Sequence, residues 1–193
     1  LEFRRVLFRS DAEMLEACRC FGASLPTPQP PARTDLAGRR LRIGILSSDL
    51  RAHSVGHFAD AILRHVPDDA EVIVFSCAPV DRGGDAMSAH FRRLASAWHE
   101  VTGLPPQALD EAIRAQRIDV LMELNGHSNG SRLMALARKP APVIVSAIGY
   151  PDSTGLPAID ARLVDSITDP PGAEARCTER LVRIDPCFLC YTP

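Results

Sequence analysis

Two histidines four residues apart stand in a polar segment that follows a short apolar run. The segment SSDLRAHSVGHF covers residues 47–58 and holds His53 and His57, with Gly56 between them. An imidazole changes protonation near pH 6.5, so a neutral histidine can accept a proton at physiological pH. A helix beginning near Gly56 would direct free N–H groups and its positive dipole end at this loop. The segment could therefore form part of an active site that holds an anion such as a diphosphate.

The same histidine pair has plainer explanations. One histidine could cap the helix while the other is solvated. A metal site on His53 and His57 as an i, i+4 pair lacks a supporting carboxylate motif, so we predict no metal. Cys187 and Cys190 have CxxC spacing without a second ligand pair. We expect structural or incidental cysteines there, with metal or redox use as the alternative.

The elements that position this segment alternate between two patterns. The apolar runs typical of strands are LRIGILSS, EVIVFSCA, IDVLMELNG and APVIVSAIG, with the weaker WHEVT and ARLVDS. Segments with apolar residues at helical spacing lie between them. Continuous apolar strands that alternate with helices predict an α/β, Rossmann-like fold, a parallel sheet with helices on both faces. In such sheets, ligands bind beyond the carboxyl ends of the strands.

Four polar, glycine-containing loops should therefore open on one edge of the sheet. They are SSDLRAHSVGH, GLPP with His99 shortly before it, NGHSNG over residues 125–130 and GYPDSTG over residues 149–155. Neither of the last two is specific alone, since each could be a plain turn. The sequence has no G-x-G-x-x-G after the first strand, no P-loop motif and no G-x-S-x-G elbow. These absences disfavour a nicotinamide or flavin enzyme, a P-loop phosphate site and a hydrolase.

Taken in order, these loops resemble one enzyme family. LRIGILSSDLRAHSVGHF, IDVLMELNGHSNGSRLMALARKPAPV, GYPDSTGLPAID and DPPGAEARCTERLVRIDPCFLCYTP are similar to the catalytic region of protein O-GlcNAc transferases and their SPINDLY-like relatives. The resemblance covers about residues 39–193. It implies a GT-B glycosyltransferase, with this chain as the first of two Rossmann-like lobes. The second lobe would follow Pro193 and tetratricopeptide repeats would lie upstream, so the sequence is expected to be cut at both ends.

The resemblance also implies a reaction. It is the inverting transfer of N-acetylglucosamine from UDP-GlcNAc to a Ser or Thr hydroxyl of a protein acceptor, with no cofactor and no required metal. His53 falls on a histidine proposed in the family as a base or as a positioning group, and is the predicted catalytic residue. The predicted substrate- and donor-binding residues are His99, His127, Gly149, Tyr150, Pro151 and Thr154.

Three further residues are placed by the same resemblance. The lysine that neutralises the diphosphate belongs to the second lobe, so Lys139 is not expected to have that role. His57 is expected to begin the helix after the loop. Asp152 stands where the family commonly has a small residue. The donor sugar stays open between GlcNAc, fucose and glucose, because relatives differ and the lobe that holds most donor contacts is absent.

The chain divides into three predicted parts. Residues 1–10, LEFRRVLFRS, resemble a translated sequencing adapter and are predicted to be an artefact. Residues 11–38 are predicted to be a helix tail and a proline-rich linker, and residues 39–193 the N-terminal catalytic lobe. The Arg- and Ala-rich composition suggests a bacterial source. We found no secretory signal and no apolar run of membrane-spanning length, and therefore expect a cytoplasmic protein without a membrane partner.

Other functions stay open at this point. The formal net charge of −2 gives no electrostatic case for a nucleic-acid partner. A non-catalytic Rossmann-like module that binds a nucleotide or a peptide is one alternative. Another GT-B enzyme, such as a sugar-nucleotide epimerase, is a second. The 193-residue chain by itself is expected to be inactive, since the resemblance places most donor contacts in the other lobe.

Overall fold

A computed structural model describes residues 10–33, 35–78 and 84–191 of the chain. Within these residues, seven strands form one parallel sheet in the order β3-β2-β1-β4-β5-β6-β7. The strands are β1 Leu41–Ser47, β2 Ala70–Ser76, β3 Ala97–Glu100, β4 Val120–Glu123, β5 Val143–Ser146, β6 Ala161–Val164 and β7 Arg180–Arg183. The helices are α1 Asp11–Ala23, α2 Ser54–Arg64, α3 Ala86–Leu94, α4 Pro106–Ala115 and α5 Leu133–Leu136, with a 3-10 helix at Ala173–Arg176.

Successive strand residues point to opposite sides of a sheet, so a strand of consecutive apolar residues makes both faces apolar. On β2, Ile73 and Phe75 join a cluster with residues of α4 and α5, whereas Val72 and Val74 join a cluster with residues of α2 and α3. Helix α2 contributes Val55, Ala59 and Leu63 to that second cluster, at the spacing that lines one helical face. The predicted Rossmann-like α/β fold, with helices on both faces of a parallel sheet, is confirmed.

Helix α1 packs against the sheet domain. Leu15 and Cys18 are buried, and a Cβ on Gly22 would lie 2.0 Å from the carbonyl oxygen of Gly155. The proline-rich segment that follows also touches the domain, since the Gln29 amide donates to the Arg138 carbonyl at 3.1 Å. The boundary at residue 39 stays a prediction, and the structure adds that residues 11–33 are held on the domain by these contacts.

The structure describes only the last residue of the predicted adapter segment, Ser10. Residues 1–9 lie outside the residues that the structure describes. Ser10 is the N-cap of α1: its hydroxyl accepts from the Glu13 amide, and the Glu13 carboxylate accepts from the Ser10 amide at 2.8 Å. This reciprocal capping box satisfies two N–H groups at the start of the helix.

The strand order has one switch point. From β1 the chain continues to β2 and β3 on one side, then crosses to β4 on the other side of β1. The loops after β1 and β4 therefore diverge to opposite faces and leave a crevice at the carboxyl edge, which is where open α/β sheets bind ligands. Among the described helices, none combines the length and hydrophobicity that a membrane span requires.

Candidate functional site

The Asn125 side chain joins the two loops that flank the switch point. It is 3% exposed, and its Oδ1 accepts from the Ser48 amide at 3.0 Å. Its Nδ2 donates to Ser48 Oγ at 2.8 Å and to Asp49 Oδ2 at 2.9 Å. Gly130 lies against the same serine, since a Cβ there would stand 2.4 Å from Ser48 Oγ, and its φ is +83°. The loops after β1 and β4 are thus fixed to each other by a buried polar network.

Replacing Asn125 with alanine should leave the Ser48 amide and Asp49 Oδ2 without this partner in a buried site. We expect the free energy of unfolding to fall by about 2 kcal/mol, because buried polar groups that lose their hydrogen bonds are costly. Urea unfolding measures the change. Asn129→Ala is the matched control, because Asn129 enters this network through its backbone carbonyl. Equal stability of the two variants would contradict the proposed importance of the network.

His53 lies at the N-cap of α2, beside the crevice. Its Nδ1 accepts from the Val55 amide at 3.3 Å, and the side chain is 38% exposed. An imidazole whose Nδ1 accepts a hydrogen bond carries its proton on Nε2 when neutral. Asp49 Oδ1 lies 4.0 Å from Nδ1 and is paired with Arg51 Nη2 at 2.9 Å. With Nδ1 engaged by the Val55 amide, the neutral His53 ring offers Nε2 as a hydrogen-bond donor and has no free nitrogen to act as a base.

His57 has a different environment from that of His53. The helix begins at Ser54 with His53 as its cap, and His57 lies in its first turn, so His57 belongs to the helix as expected but is not its first residue. His57 is exposed on α2, and its ring lies 6.3 Å from that of Tyr191. The plainer explanation of the pair, one cap and one solvated histidine, describes their local contacts.

A buried carboxylate lies beneath the loop after β4. Glu123 is 2% exposed, and it accepts from the amides of Asn125 at 3.1 Å and Gly126 at 2.8 Å and from the Ser146 hydroxyl. Burial raises the pKa of the Glu123 carboxyl, while these hydrogen bonds oppose the rise. Because both amides belong to the turn that leads into the crevice, Glu123 holds the backbone of that turn.

His127 and Tyr150 meet at the next pair of loops. The His127 ring lies between Phe21 of α1 and Tyr150, with centroids 5.3 Å from each. Its Nε2 bonds the Thr154 carbonyl at 2.8 Å, which requires a proton on Nε2. At Gly126, φ is +51° and a Cβ would lie 2.4 Å from Tyr150 Cβ, so Tyr150 packs directly on the turn backbone. His127 supports the loop here, and its donor-binding role stays a prediction.

Tyr150 is partly buried, and burial, followed by the nearby Cys18, Asp152 and Glu179 groups, raises its pKa to about 12. Folding therefore favours the neutral phenol. That contribution to stability is complete below pH 10 and is lost as the pH rises through 12. The sequence contains two tyrosines, so the phenol titration of a Tyr191→Phe variant comes from Tyr150 alone. Absorbance titration of the folded variant, with circular dichroism as the folding control, should give a midpoint near 12. A midpoint near 10 would contradict the burial argument.

The loop over residues 149–155, hereafter the site loop, approaches β4 closely. A Cβ on Gly149 would stand 1.9 Å from the Leu124 carbonyl oxygen, and the preceding Ile148 has φ +66°. Pro151 is exposed beside Tyr150. Thr154 is fully buried, with its hydroxyl bonded to Glu179. In this arrangement Thr154 fixes the loop, and its burial does not support the predicted contact with a donor.

His99 stands apart from the other predicted site residues. It lies on β3, two strands from β1, and stacks on Phe75 with centroids 5.4 Å apart. Its Nε2 is buried without a hydrogen-bond partner among the described residues. Because that nitrogen is buried, it does not support the predicted contact with a donor, and the role of His99 stays a prediction. None of the described side-chain contacts links His99 to His53 or to the site loop.

Other charged groups were not identified from the sequence. Glu123, Arg162 and Glu179 are each at most 5% exposed. A charged residue within an apolar strand run, as in VLMELNG and ARLVDS, is the signal that could have identified the first two. Lys139 lies at the opposite edge of the sheet, where its Nζ bonds Asp160 Oδ1 at 2.6 Å and the Ala158 carbonyl. Within the described ranges, no group of three or more His, Cys, Asp or Glu residues could hold a metal.

A cavity of about 350 Å³ also lies at that opposite edge. It is lined by Arg39, Arg40, Arg42, Arg117 and Glu71. Two of its arginines are already paired, Arg39 with Asp119 and Arg42 with Glu71, each at 2.7 Å. We place the candidate site at the switch point and not at this cavity, because open α/β sheets bind ligands in the crevice at the carboxyl ends of their strands.

Comparison with known proteins identifies relatives over most of the chain. The family model for glycosyl transferase family 41 matches residues 25–191. The probable UDP-N-acetylglucosamine–peptide N-acetylglucosaminyltransferase SPINDLY of Arabidopsis thaliana is 39% identical over 159 residues, which are 80% of this chain and 17% of that protein. The protein SEC of the same plant, named as the same kind of enzyme, is 28% identical over 160 residues, 82% of this chain and 16% of its own length.

A solved structure shows the same likeness in three dimensions. It is a mutant of the Thermobaculum terrenum O-GlcNAc transferase, which aligns with a TM-score of 0.84 at 36% sequence identity. The alignment covers 95% of this chain and 35% of that one. The chain thus spans about a sixth of the curated relatives and about a third of the solved neighbour.

Proposed function

The chain belongs to glycosyl transferase family 41, and on that premise we propose that it forms the N-terminal catalytic lobe of a protein O-glycosyltransferase. The proposed enzyme moves N-acetylglucosamine from UDP-GlcNAc to Ser or Thr hydroxyls of an acceptor protein. The names of the SPINDLY relatives and of the solved neighbour support this donor and acceptor. Fucose and glucose are the competing donor sugars.

One observation carries the proposal. The buried Ser48–Asp49–Asn125 network fixes the loops on both sides of the switch point, and His53 stands at the end of one of them. A wall of this kind is useful to an enzyme because its hydrogen-bond donors are held in place before the substrate arrives.

The proposed reaction forms one bond and breaks one. The acceptor oxygen attacks the anomeric carbon, the bond from that carbon to the diphosphate oxygen breaks, and the hydroxyl proton passes to an oxygen of the departing diphosphate or to water. Negative charge then develops on the departing diphosphate. We propose that His53 donates from Nε2 to an oxygen of the reacting groups, because its Nδ1 is engaged by the Val55 amide. The start of α2 adds its positive dipole end to the same region.

The site loop forms the second part of the proposed wall. Tyr150, held against His127 and the turn at Gly126, would face the donor sugar. The opposite wall, the lysine that neutralises the diphosphate and any upstream tetratricopeptide repeats belong to the rest of the proposed enzyme. The transfer as proposed uses no metal, and we place the protein in the cytoplasm.

A chimera tests the proposal. Residues 11–191 of this chain would replace the equivalent part of the Thermobaculum terrenum O-GlcNAc transferase, to which they are 36% identical. We expect the chimera to hydrolyse or transfer from UDP-GlcNAc in an acceptor-dependent way. Parallel reactions with GDP-fucose and UDP-glucose identify the sugar. A folded chimera that consumes none of these donors would contradict the proposed function.

A further inference from the structure

Two buried charged side chains from outside the site loop hold its backbone in place. Arg162 of β6 is 4% exposed, and its Nη1 donates to the Pro151 carbonyl at 2.5 Å. Its Nη2 donates to Asp169, which neutralises the guanidinium, and contacts Cys177 Sγ at 3.4 Å. The first half of the site loop is therefore attached at Pro151 to a guanidinium that Asp169 holds in place.

Glu179, just before β7, holds the other half of the loop. It is 5% exposed, and it accepts from the Ser153 hydroxyl and the Thr154 amide, both at 2.7 Å, and from the Thr154 hydroxyl. The ion pairs among the described residues do not include Glu179. All three of these hydrogen bonds come from the site loop.

This arrangement makes the loop and the carboxylate depend on each other. A buried carboxylate without a cation is tolerated only while its hydrogen-bond donors stay in place. If residues 153–154 move, Glu179 loses every partner recorded for it, so the charge resists motion of the loop. His127, which bonds the Thr154 carbonyl at 2.8 Å, attaches the same part of the loop a second time.

We propose that Glu179 and Arg162 are positioning residues for sugar transfer, acting through the site loop on Tyr150 and Pro151. The inference rests on the proposed function. Both side chains are at least 95% buried, so neither is placed to touch substrate. Their opposite charges hold the two halves of the bend at Pro151 and Thr154, and the surface of Tyr150 that faces the crevice depends on that bend.

Glu179→Gln tests the proposal with a change that keeps the side-chain shape. In the 193-residue chain, hydrogen exchange at the amides of residues 153–155 should become at least tenfold faster. In the chimera, kcat should fall at least tenfold while the donor KM changes less than threefold, because the loop is misplaced and the donor site is otherwise intact. Ser153→Ala removes one of the three hydrogen bonds to Glu179, together with the contacts of the Ser153 hydroxyl to Thr178 and to the Gly155 amide. It changes no charge and should also speed exchange at these amides.

The matched control is Glu174→Gln, the same chemical change five residues away. Glu174 pairs with Arg183 at 2.6 Å, has a side chain 53% exposed, and makes no contact with the site loop among those described. It should leave both exchange and kcat unchanged. Arg162→Met is the companion variant and should loosen residues 150–152.

The outcomes separate the two proposals. Unchanged loop exchange in both Glu179→Gln and Ser153→Ala would overturn the positioning role, as would faster exchange with unchanged kcat. Faster loop exchange in a chimera that never consumes a sugar nucleotide, even unmutated, would contradict the proposed function and leave the attachment of the loop established. A rise in donor KM alone would make these residues part of donor binding and would also overturn the positioning role.

Discussion

Replacing His53 with asparagine in the chimera is expected to lower sugar transfer at least a hundredfold. The imidazole is proposed to donate from Nε2 to the reacting groups, and loss of one such preorganised donor commonly costs a factor of 100 to 1,000. Asparagine is among the best N-cap residues, so it should still accept from the Val55 amide and preserve the start of α2. Rates of UDP-GlcNAc turnover, together with urea unfolding of the same variant, measure the two effects separately.

Two variants complete the His53 test. His57→Asn makes the same change on the exposed side of α2 and should leave turnover within twofold. His53→Ala removes the cap as well as the imidazole, and should lose about 1 kcal/mol of stability in addition to activity. If His53→Asn retained full turnover, the assignment of His53 as a catalytic residue would be wrong.

Gly149→Ala is expected to have the largest effect on stability. A Cβ at this position would lie 1.9 Å from the Leu124 carbonyl oxygen, a backbone atom that cannot rotate away. Either the site loop or the end of β4 must shift, and overpacking of this kind costs about 3 kcal/mol. Urea unfolding of the 193-residue chain measures the loss. The Tyr150 titration should move back toward pH 10, because the phenol would lose its packing on the turn at Gly126.

Gly84→Ala is the matched control for this substitution. Among the described residues, no heavy atom lies within 4 Å of a Cβ placed on Gly84, so the change should alter stability by less than about 0.5 kcal/mol. Stability of Gly149→Ala equal to that of Gly84→Ala would show that the loop after β5 can relax freely. That result would contradict a site loop held tightly against β4.

The sequence predicted the sheet and the edge on which the loops open. Apolar runs such as LRIGIL and EVIVF became β1 and β2, because residues buried on both sides of a parallel sheet leave a continuous apolar pattern. The loops containing His53, His127 and Tyr150 lie at one edge, since all parallel strands end on the same side. His99 lies on the same sheet, but only the strand order shows that it is two strands away from β1.

Contacts between distant segments could not be read from local patterns. The Gly22–Gly155 approach joins a helix predicted as the tail of another region to the site loop, and small residues carry no periodic signal. Glu179 likewise follows an unremarkable turn sequence, and its burial depends on β6 and β7 pairing beside the loop. Asp49 and Asn125 were within the predicted loops, but their partnership across 76 residues required the structure.

We propose that the carboxyl edge at the switch point is one wall of a sugar-transfer site. A crystal structure of the chimera with UDP-GlcNAc or a non-hydrolysable analogue and an acceptor peptide tests it most directly. We expect the sugar diphosphate to lie over the ends of β1, β4 and β5, with His53 Nε2 within about 3 Å of a ligand oxygen and Tyr150 against the sugar. A donor bound with no atom within about 4 Å of His53 or of the site loop would contradict the proposed site.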